Sequence, residues 1–156
     1  MKHASRSVWV LRAFLITVLV SALAGAGGLA AAASEQQAVQ AKRVLVDGGG
    51  SYTDVSAAGL ARMLAKKTFP LINVHIPYDG EIDGTDLFIP FDQVNTHLGQ
   101  LPSDKKAPIV LYCRSGHMSA IAAATLVKGG FTNVLNLEGG MIAWEKVGYQ
   151  LVHRSR

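Results

Sequence analysis

The sequence predicts an α/β fold in which a central parallel β-sheet is covered by helices on both faces. Three observations support this prediction. Short apolar runs alternate with helix-like segments over residues 52–153, as parallel strands joined by right-handed crossovers require. The run Pro108–Tyr112 is continuously apolar, which is typical of a central strand buried on both faces. The chain has 156 residues, 49% of them apolar and 17% charged, a composition that excludes a disordered chain.

The first predicted elements are a short strand, a turn and a helix. Val44–Val46 is a candidate strand, and Gly48–Gly50 after it form a flexible lead-in or a turn. These glycines are not followed by Lys and Ser or Thr, so they do not form a phosphate-binding loop of the usual type. Ser56–Lys67 is predicted to be a helix, because Ser56 is a good N-cap residue and apolar residues then recur at helical spacing.

The middle of the chain predicts two short strands and a short helix. Leu71–Val74 is apolar apart from one Asn and follows a proline, as expected of a buried strand. Phe88–Ile89 is a second strand candidate, and it ends at Pro90. Phe91–Leu98 then predicts a short helix, because proline is favoured at a helix start.

The last third of the chain carries the clearest pattern. The strand Pro108–Tyr112 is followed by an Ala-rich predicted helix, Ser119–Lys128, which two glycines would end. Asn133–Leu137 is predicted to be a strand, and Met141–Val147 an amphipathic helix with Gly148 behind it. Residues 52–153 therefore form the predicted domain, and residues 34–51 lead into it.

Residues 1–33 have the three-part layout of a secretory signal. Met1–Arg12 is basic, Ala13–Leu23 is apolar, and the small residues up to Ala33 include an Ala-x-Ala site for cleavage. The alternative is an uncleaved membrane anchor, because residues 13–33 carry no charge over a length that just spans a bilayer core. Either outcome predicts an exported protein, located in a bacterial periplasm, with membrane contact only if the segment is retained.

The net charge of +4 does not indicate a nucleic-acid partner. Residues 1–33 hold three basic residues and no acidic one, so 12 of the 15 basic residues and all 11 acidic residues lie in the remainder. A nearly neutral domain lacks the basic surface that binds phosphate backbones.

Cys113 is the only cysteine of the chain. In an exported protein, such a residue is buried and inert, paired with another molecule, or a working thiol. Cys113 comes directly after the central strand and before a helix, where α/β folds bind ligands. The run Cys113–Ser119 contains Arg114, which suits an anion, and Gly116, which permits a tight loop of amides around one centre. We therefore expect a nucleophilic thiolate.

Two chemistries use a cysteine in a strand–loop–helix cradle. Phosphatases of the tyrosine and dual-specificity type need Arg at the sixth position after the cysteine, where this chain has Ser119. They also have His directly before the cysteine, and this chain does not. Phosphoryl transfer is therefore disfavoured, and the shorter loop suits sulfur chemistry.

Three segments resemble single-domain rhodanese-type sulfurtransferases. The run LYCRSGHMSA is similar to their active-site loop, usually written C-R-S-G-x-R-S. The segment Gly130–Val152 resembles the closing signature G-F-x-x-V-x-x-L-x-G-G-x-x-A-W, and the segment from Tyr52 to His75 resembles the usual lead-in to the first central strand. Together the three segments extend over about residues 52–152, which is nearly all of the predicted exported chain, and the resemblance implies a rhodanese-like fold.

The resemblance also implies roles for the residues of the loop. Cys113 would be the nucleophile that carries the sulfur as a persulfide, and Arg114 would help to hold an anionic donor. The backbone amides around the sulfur would come from Ser115, Gly116, His117, Met118 and Ser119. Ser119 is also a candidate cap of the following helix, and His117 either faces solvent or modulates the thiolate. Gly139, Gly140 and Trp144 are assigned to packing.

Two arginines common in the family are absent. At the end of the first central strand the usual Asp-x-Arg is Asn73-Val74-His75, and Met118 stands at the sixth loop position. The usual G-H-I-P-G is replaced by the segment 80–84, Gly-Glu-Ile-Asp-Gly. His75 is either an ordinary histidine at a strand end or a partial substitute in donor binding that is cationic at low pH.

The expected function is transfer of a sulfane sulfur from a small anionic donor such as thiosulfate to a thiol or cyanide-like acceptor. The alternative is a sulfur-relay or binding module that acts with a protein acceptor and does not turn over small donors. No cofactor and no metal are expected, since the histidines lack the spacing of metal ligands.

Overall fold

A six-stranded β-sheet organises residues 41–155, which are the residues described by this computed structural model. The strands in this range are β1 (Ala41–Leu45), β2 (Ser51–Val55), β3 (Leu71–Asn73), β4 (Glu81–Ile82), β5 (Leu87–Phe88), β6 (Ile109–Tyr112), β7 (Val134–Leu137) and β8 (Leu151–Val152). The helices in the same range are α1 (Ala57–Leu64), α2 (His117–Lys128) and α3 (Gly140–Lys146), together with a 3₁₀ turn at Leu98–Gln100.

The large sheet has the strand order β1-β2-β7-β6-β3-β5. Every neighbouring pair in it is parallel except β1 and β2, which form an antiparallel hairpin at one edge. Strands β4 and β8 pair separately and antiparallel. The predicted α/β fold with a central, mostly parallel sheet is therefore confirmed, and the edge hairpin and the small second sheet are additions to it.

The predicted signal or anchor at residues 1–33 lies outside the described residues, as do residues 34–40 of the lead-in. Within residues 41–155, no helix combines the length and the apolar character that crossing a bilayer requires. The glycines Gly48–Gly50 form the predicted turn, which closes the hairpin with hydrogen bonds from the amides of Val46 and Gly49 to the carbonyls of Gly50 and Val46.

Most predicted elements occur within a few residues of their predicted bounds. The helix predicted over Ser56–Lys67 begins as expected, since the Ser56 hydroxyl accepts a hydrogen bond from the Gly59 amide at 3.1 Å, but it ends at Leu64. Helix α2 begins two residues before the predicted Ser119. Strands β2, β4 and β8 were not predicted.

The helix predicted over Phe91–Leu98 is wrong. The segment forms successive turns, in which amides donate to carbonyls three residues earlier, as from Thr96 to Gln93 at 3.0 Å. The Gln93 carbonyl also accepts the Thr96 hydroxyl at 2.8 Å, and the Nδ1 of His97 lies 2.9 Å from it. Side chains that bond locally to the backbone compete with the helical pattern, and they do so here.

Strand β6 is completely buried and divides the core into two clusters. Ile109 and Leu111 point to the cluster that contains α2, and Val110 and Tyr112 point to the cluster that contains α1 and α3. Each such side chain contributes roughly 1.5–3 kcal/mol by leaving water. Because α2 lies on one face and α1 and α3 on the other, the helices predicted on both faces are confirmed, and the carboxyl end of β6 is held rigidly.

Candidate active site

Cys113 follows the last residue of β6 and is almost fully buried, with 1% of its surface exposed. Three donors surround its sulfur. The Gly116 amide lies 3.1 Å from Sγ, and the amide and the hydroxyl of Ser119 each lie 3.4 Å from it. Hydrogen-bond donors directed at one sulfur can stabilise negative charge that develops on it during a reaction.

The loop can turn back on its sulfur because residue 116 is glycine. Gly116 has φ +88° and is the N-cap of α2. A Cβ atom there would also lie 3.0 Å from the Gly139 amide nitrogen and 3.4 Å from the Leu137 carbonyl. A side chain would therefore strain the backbone and push the loop from its neighbours.

Ser119 does not cap α2, contrary to expectation. It is the third residue of the helix, and its hydroxyl lies 3.2 Å from the Gly116 carbonyl as well as 3.4 Å from the Cys113 sulfur. The helix starts early because Gly116 itself makes the turn. Ser119 is therefore a fully buried member of the sulfur environment.

The other predicted loop residues lie around this centre without a hydrogen bond to the sulfur. Within the described residues, the amides that donate to Sγ are those of Gly116 and Ser119. Ser115 and His117 are exposed. Met118 is half-buried and packs against the core cluster on the α2 face.

The first residues of helix α3 donate hydrogen bonds to the backbone of the Cys113 loop and hold it in place. The Met141 amide donates to the Cys113 carbonyl at 2.9 Å, and the Ile142 amide donates to the Arg114 carbonyl at 3.0 Å. A Cβ atom on Gly140 would meet the Cys113 carbonyl oxygen at 2.2 Å. The glycine pair of the closing signature thus allows two backbones to touch. Gly139 and Gly140 were predicted to serve packing, and for Gly140 the packing partner is the Cys113 loop.

Three ionisable side chains gather at the rim of the loop. The Arg114 guanidinium forms an ion pair with the Asp79 carboxylate, and both side chains are about half exposed. His75 is half-buried beside them. Burial lowers the pKa of His75, and Arg114 lowers it further, although Asp79 acts in the opposite direction. The structure therefore places His75 near Arg114, a position that fits either of the two roles considered for it.

Asp79 was not predicted as a site residue. No motif marks it, because its role depends on the approach of the segment after β3 to the segment after β6. Both strands end at the same edge of the sheet, since β3 and β6 are parallel neighbours. The one sequence signal that could have indicated Asp79 is its position as an acidic residue shortly after the predicted strand Leu71–Val74.

The arrangement suits nucleophilic chemistry at sulfur. A thiolate in a ring of donors can attack an electrophilic sulfur, and the same donors would stabilise an anion formed on it. Within residues 41–155, no group of three or more His, Cys, Asp and Glu side chains is placed to hold a metal ion.

Comparisons with known proteins agree with this geometry. The probable adenylyltransferase/sulfurtransferase MoeZ of Mycobacterium tuberculosis is 42% identical over 81 residues, which cover 49% of this chain but 20% of that protein. The thiosulfate sulfurtransferase GlpE of Pseudoalteromonas translucida is 27% identical over 109 residues, covering 67% of this chain and 99% of that protein.

The fold comparison gives the same result. The crystal structure of a rhodanese-related protein from Thermoplasma volcanium superposes with a TM-score of 0.55 and 26% identity, over 64% of this chain and 96% of that one. Residues 56–147 match the family model of the rhodanese-like domain, and this range is more than half of the chain. The protein therefore belongs to the rhodanese-like domain family.

Proposed function

We propose that the protein is a sulfurtransferase in which Cys113 accepts a sulfane sulfur and passes it on. One observation carries this proposal: the only cysteine of the chain lies at the carboxyl end of the central strand with three hydrogen-bond donors around its sulfur. Such donors stabilise negative charge on the thiolate and on the persulfide that replaces it.

The reaction has two displacement steps. In the first, the Cys113 thiolate attacks the outer sulfur of thiosulfate, the S–S bond of the donor breaks, and sulfite leaves with the bonding electrons. The product is the Cys113 persulfide anion. In the second, a nucleophile such as cyanide or a thiolate attacks the outer sulfur of the persulfide, and Cys113 leaves as the thiolate. No external oxidant or reductant is needed.

Thiosulfate is the first donor to test. A relative whose name specifies it, the GlpE protein of Pseudoalteromonas translucida, matches over 67% of this chain. Arg114 lies next to Cys113 and carries the charge that would attract an anion. Because Cys113 is buried, the donor must present its reactive sulfur as a terminal atom, as thiosulfate does.

A second candidate function is a sulfur relay that exchanges persulfide with a protein and turns over small anions slowly. One specific observation favours it: the Arg114 guanidinium is already paired with the Asp79 carboxylate. A cation held by a carboxylate attracts a second anion less strongly than a free cation does.

Thiosulfate:cyanide turnover tests the first function, with mass spectrometry of the protein after treatment with donor alone. We expect thiocyanate formation and a gain of one sulfur atom on Cys113. The Cys113→Ser variant should show neither, and because the chain has no other cysteine, no second thiol can replace it. Equal turnover by the variant and the parent would overturn the proposal. Persulfide exchange with a protein acceptor in the absence of cyanide turnover would favour the relay.

We also propose that the protein acts outside the cytosol. The basic, apolar and small-residue segments of residues 1–33 support export. The intact mass of the protein isolated from its host would reveal cleavage near Ala33. A full-length mass from the membrane fraction would favour the anchor instead, and a full-length mass from the cytosol would contradict export.

A further inference from the structure

The residue that pairs with Arg114 lies on a loop fixed at both ends by one buried side chain. This loop, residues 75–80, follows β3. Asn73 is completely buried, and its Oδ1 accepts the His75 amide at 3.0 Å while its Nδ2 donates to the Gly80 carbonyl at 3.0 Å. An amide side chain can both accept and donate in this way, whereas a carboxylate cannot donate.

A second set of contacts holds the middle of the 75–80 loop. The Tyr78 hydroxyl accepts a hydrogen bond from the Arg154 amide at 3.1 Å, and the Tyr78 ring packs edge-on against Phe88 with 5.6 Å between centroids. Asp79 lies between Tyr78 and the anchored Gly80. The backbone on both sides of Asp79 is therefore anchored beside the rim of the site.

Asp79 places a negative charge where an anionic donor would bind. It pairs with the guanidinium of Arg114, the residue next to the nucleophile. The pair has no net charge, and His75 beside it is disfavoured as a cation by burial. A donor that carries two negative charges must compete with Asp79 for Arg114, while a donor of lower charge faces a smaller penalty.

We propose that Asp79 is a specificity-determining residue that disfavours dianionic donors such as thiosulfate and favours organic persulfides of low charge. This inference rests on the proposed sulfur transfer at Cys113. With an organic persulfide R–S–SH, the Cys113 thiolate attacks the outer sulfur, the S–S bond breaks, and RS⁻ leaves. Cys113 then carries the S–SH group, so atoms and charge balance without another reactant.

The test measures binding apart from turnover. In the Cys113→Ser background, which cannot react, isothermal titration calorimetry gives the Kd for thiosulfate with and without Asp79→Asn. We expect Asp79→Asn to lower this Kd about three- to tenfold, the scale of an exposed charge interaction acting on a dianion. In the reactive protein, the KM for thiosulfate should fall by a similar factor at constant kcat, and the KM for an organic persulfide should not change.

Asp104→Asn is the matched control. Asp104 is exposed, lies before β6 at the opposite end of that strand from Cys113, and accepts the Lys106 amide at 2.9 Å through an oxygen that Asn retains. Asp104→Asn removes the same charge as Asp79→Asn and should leave the Kd for thiosulfate unchanged.

Each outcome is decisive. An unchanged Kd for Asp79→Asn, no detectable binding with or without Asp79, or an equal fall for Asp104→Asn would overturn the role of Asp79. A selective fall in Kd without turnover of any donor would support Asp79 as the residue that excludes dianions and would instead contradict the proposed sulfur transfer.

Discussion

Gly140 gives the sharpest test of how the Cys113 loop is held. Its φ is +57°, and a Cβ atom there would lie 2.2 Å from the Cys113 carbonyl oxygen and 2.7 Å from the Arg114 carbonyl carbon and oxygen. Gly140→Ala therefore adds left-handed backbone strain of about 1–2 kcal/mol. It also forces apart two backbones joined by the hydrogen bonds from Met141 and Ile142, each worth about 1 kcal/mol. The expected loss is about 3–4 kcal/mol, at the upper end of single substitutions.

Gly148→Ala provides the control for this prediction. Gly148 has φ +92°, and a Cβ atom there would have no heavy atom within 4 Å, so the substitution carries backbone strain alone. We expect it to cost about 1–2 kcal/mol. Urea unfolding of the purified protein measures both variants, with equal m-values as the sign that the two-state comparison holds. If Gly140→Ala is no more destabilising than Gly148→Ala, α3 does not brace the loop through this contact.

Three further predictions concern buried polar side chains and pH. Asn73→Asp should destabilise the fold by about 1–3 kcal/mol or more, because the buried carboxylate cannot donate to the Gly80 carbonyl; urea unfolding measures the loss. Tyr112→Phe should cost about 1–3 kcal/mol by the same assay, because it leaves the Ile82 amide without the hydroxyl that accepts it at 3.0 Å. Burial lowers the pKa of His75 in the folded protein below the ordinary value of 6.5. The neutral imidazole therefore favours the folded state above pH 6.5, and this contribution to stability is lost as the pH falls below that value. Unfolding midpoints should fall more between pH 7 and pH 5 in the parent than in His75→Gln.

These three predictions have distinct contradicting outcomes. An Asn73→Asp loss within about 0.5 kcal/mol of zero, the range of ordinary surface changes, would mean that the loop does not depend on the Gly80 contact. A Tyr112→Phe variant as stable as the parent would mean that the Ile82 amide finds another acceptor. Equal pH dependence of the parent and His75→Gln would mean that the His75 imidazolium is not disfavoured in the fold.

The sequence predicts the centre of the fold well because its signals there are strong and local. Ile109–Tyr112 is apolar on both faces of the sheet, and glycines bound the helix that follows. Strand β2 was missed because its sequence, Ser-Tyr-Thr-Asp-Val, has little apolar character, and it becomes a strand by pairing between β1 and β7. Two-residue strands such as β4 and β8 are too short to have a period.

The candidate site also has one part that the sequence predicts and one part that it does not. The loop after β6 could be predicted, because its cysteine, glycine and serine lie within one run of seven residues, Cys113–Ser119. The pairing of Arg114 with Asp79 could not, because it joins residues 35 positions apart through the shared edge of two parallel strands. The sequence predicted Arg114 as a cation that binds an anionic donor, and in the structure its guanidinium is paired with the Asp79 carboxylate.

The hydrogen bonds to the Cys113 sulfur and the charges at the rim therefore come from different parts of the molecule. The sulfur receives hydrogen bonds from two backbone amides and one hydroxyl, and the glycines of the loop and of α3 set these positions. The charges at the rim come from side chains, one of them on the separate 75–80 loop. Substitutions at Asp79 should thus change the charge at the rim without moving the amides around the Cys113 sulfur. Substitutions at Gly140 should impair the proposed sulfur transfer from every donor alike, because a Cβ atom there would displace Cys113 itself.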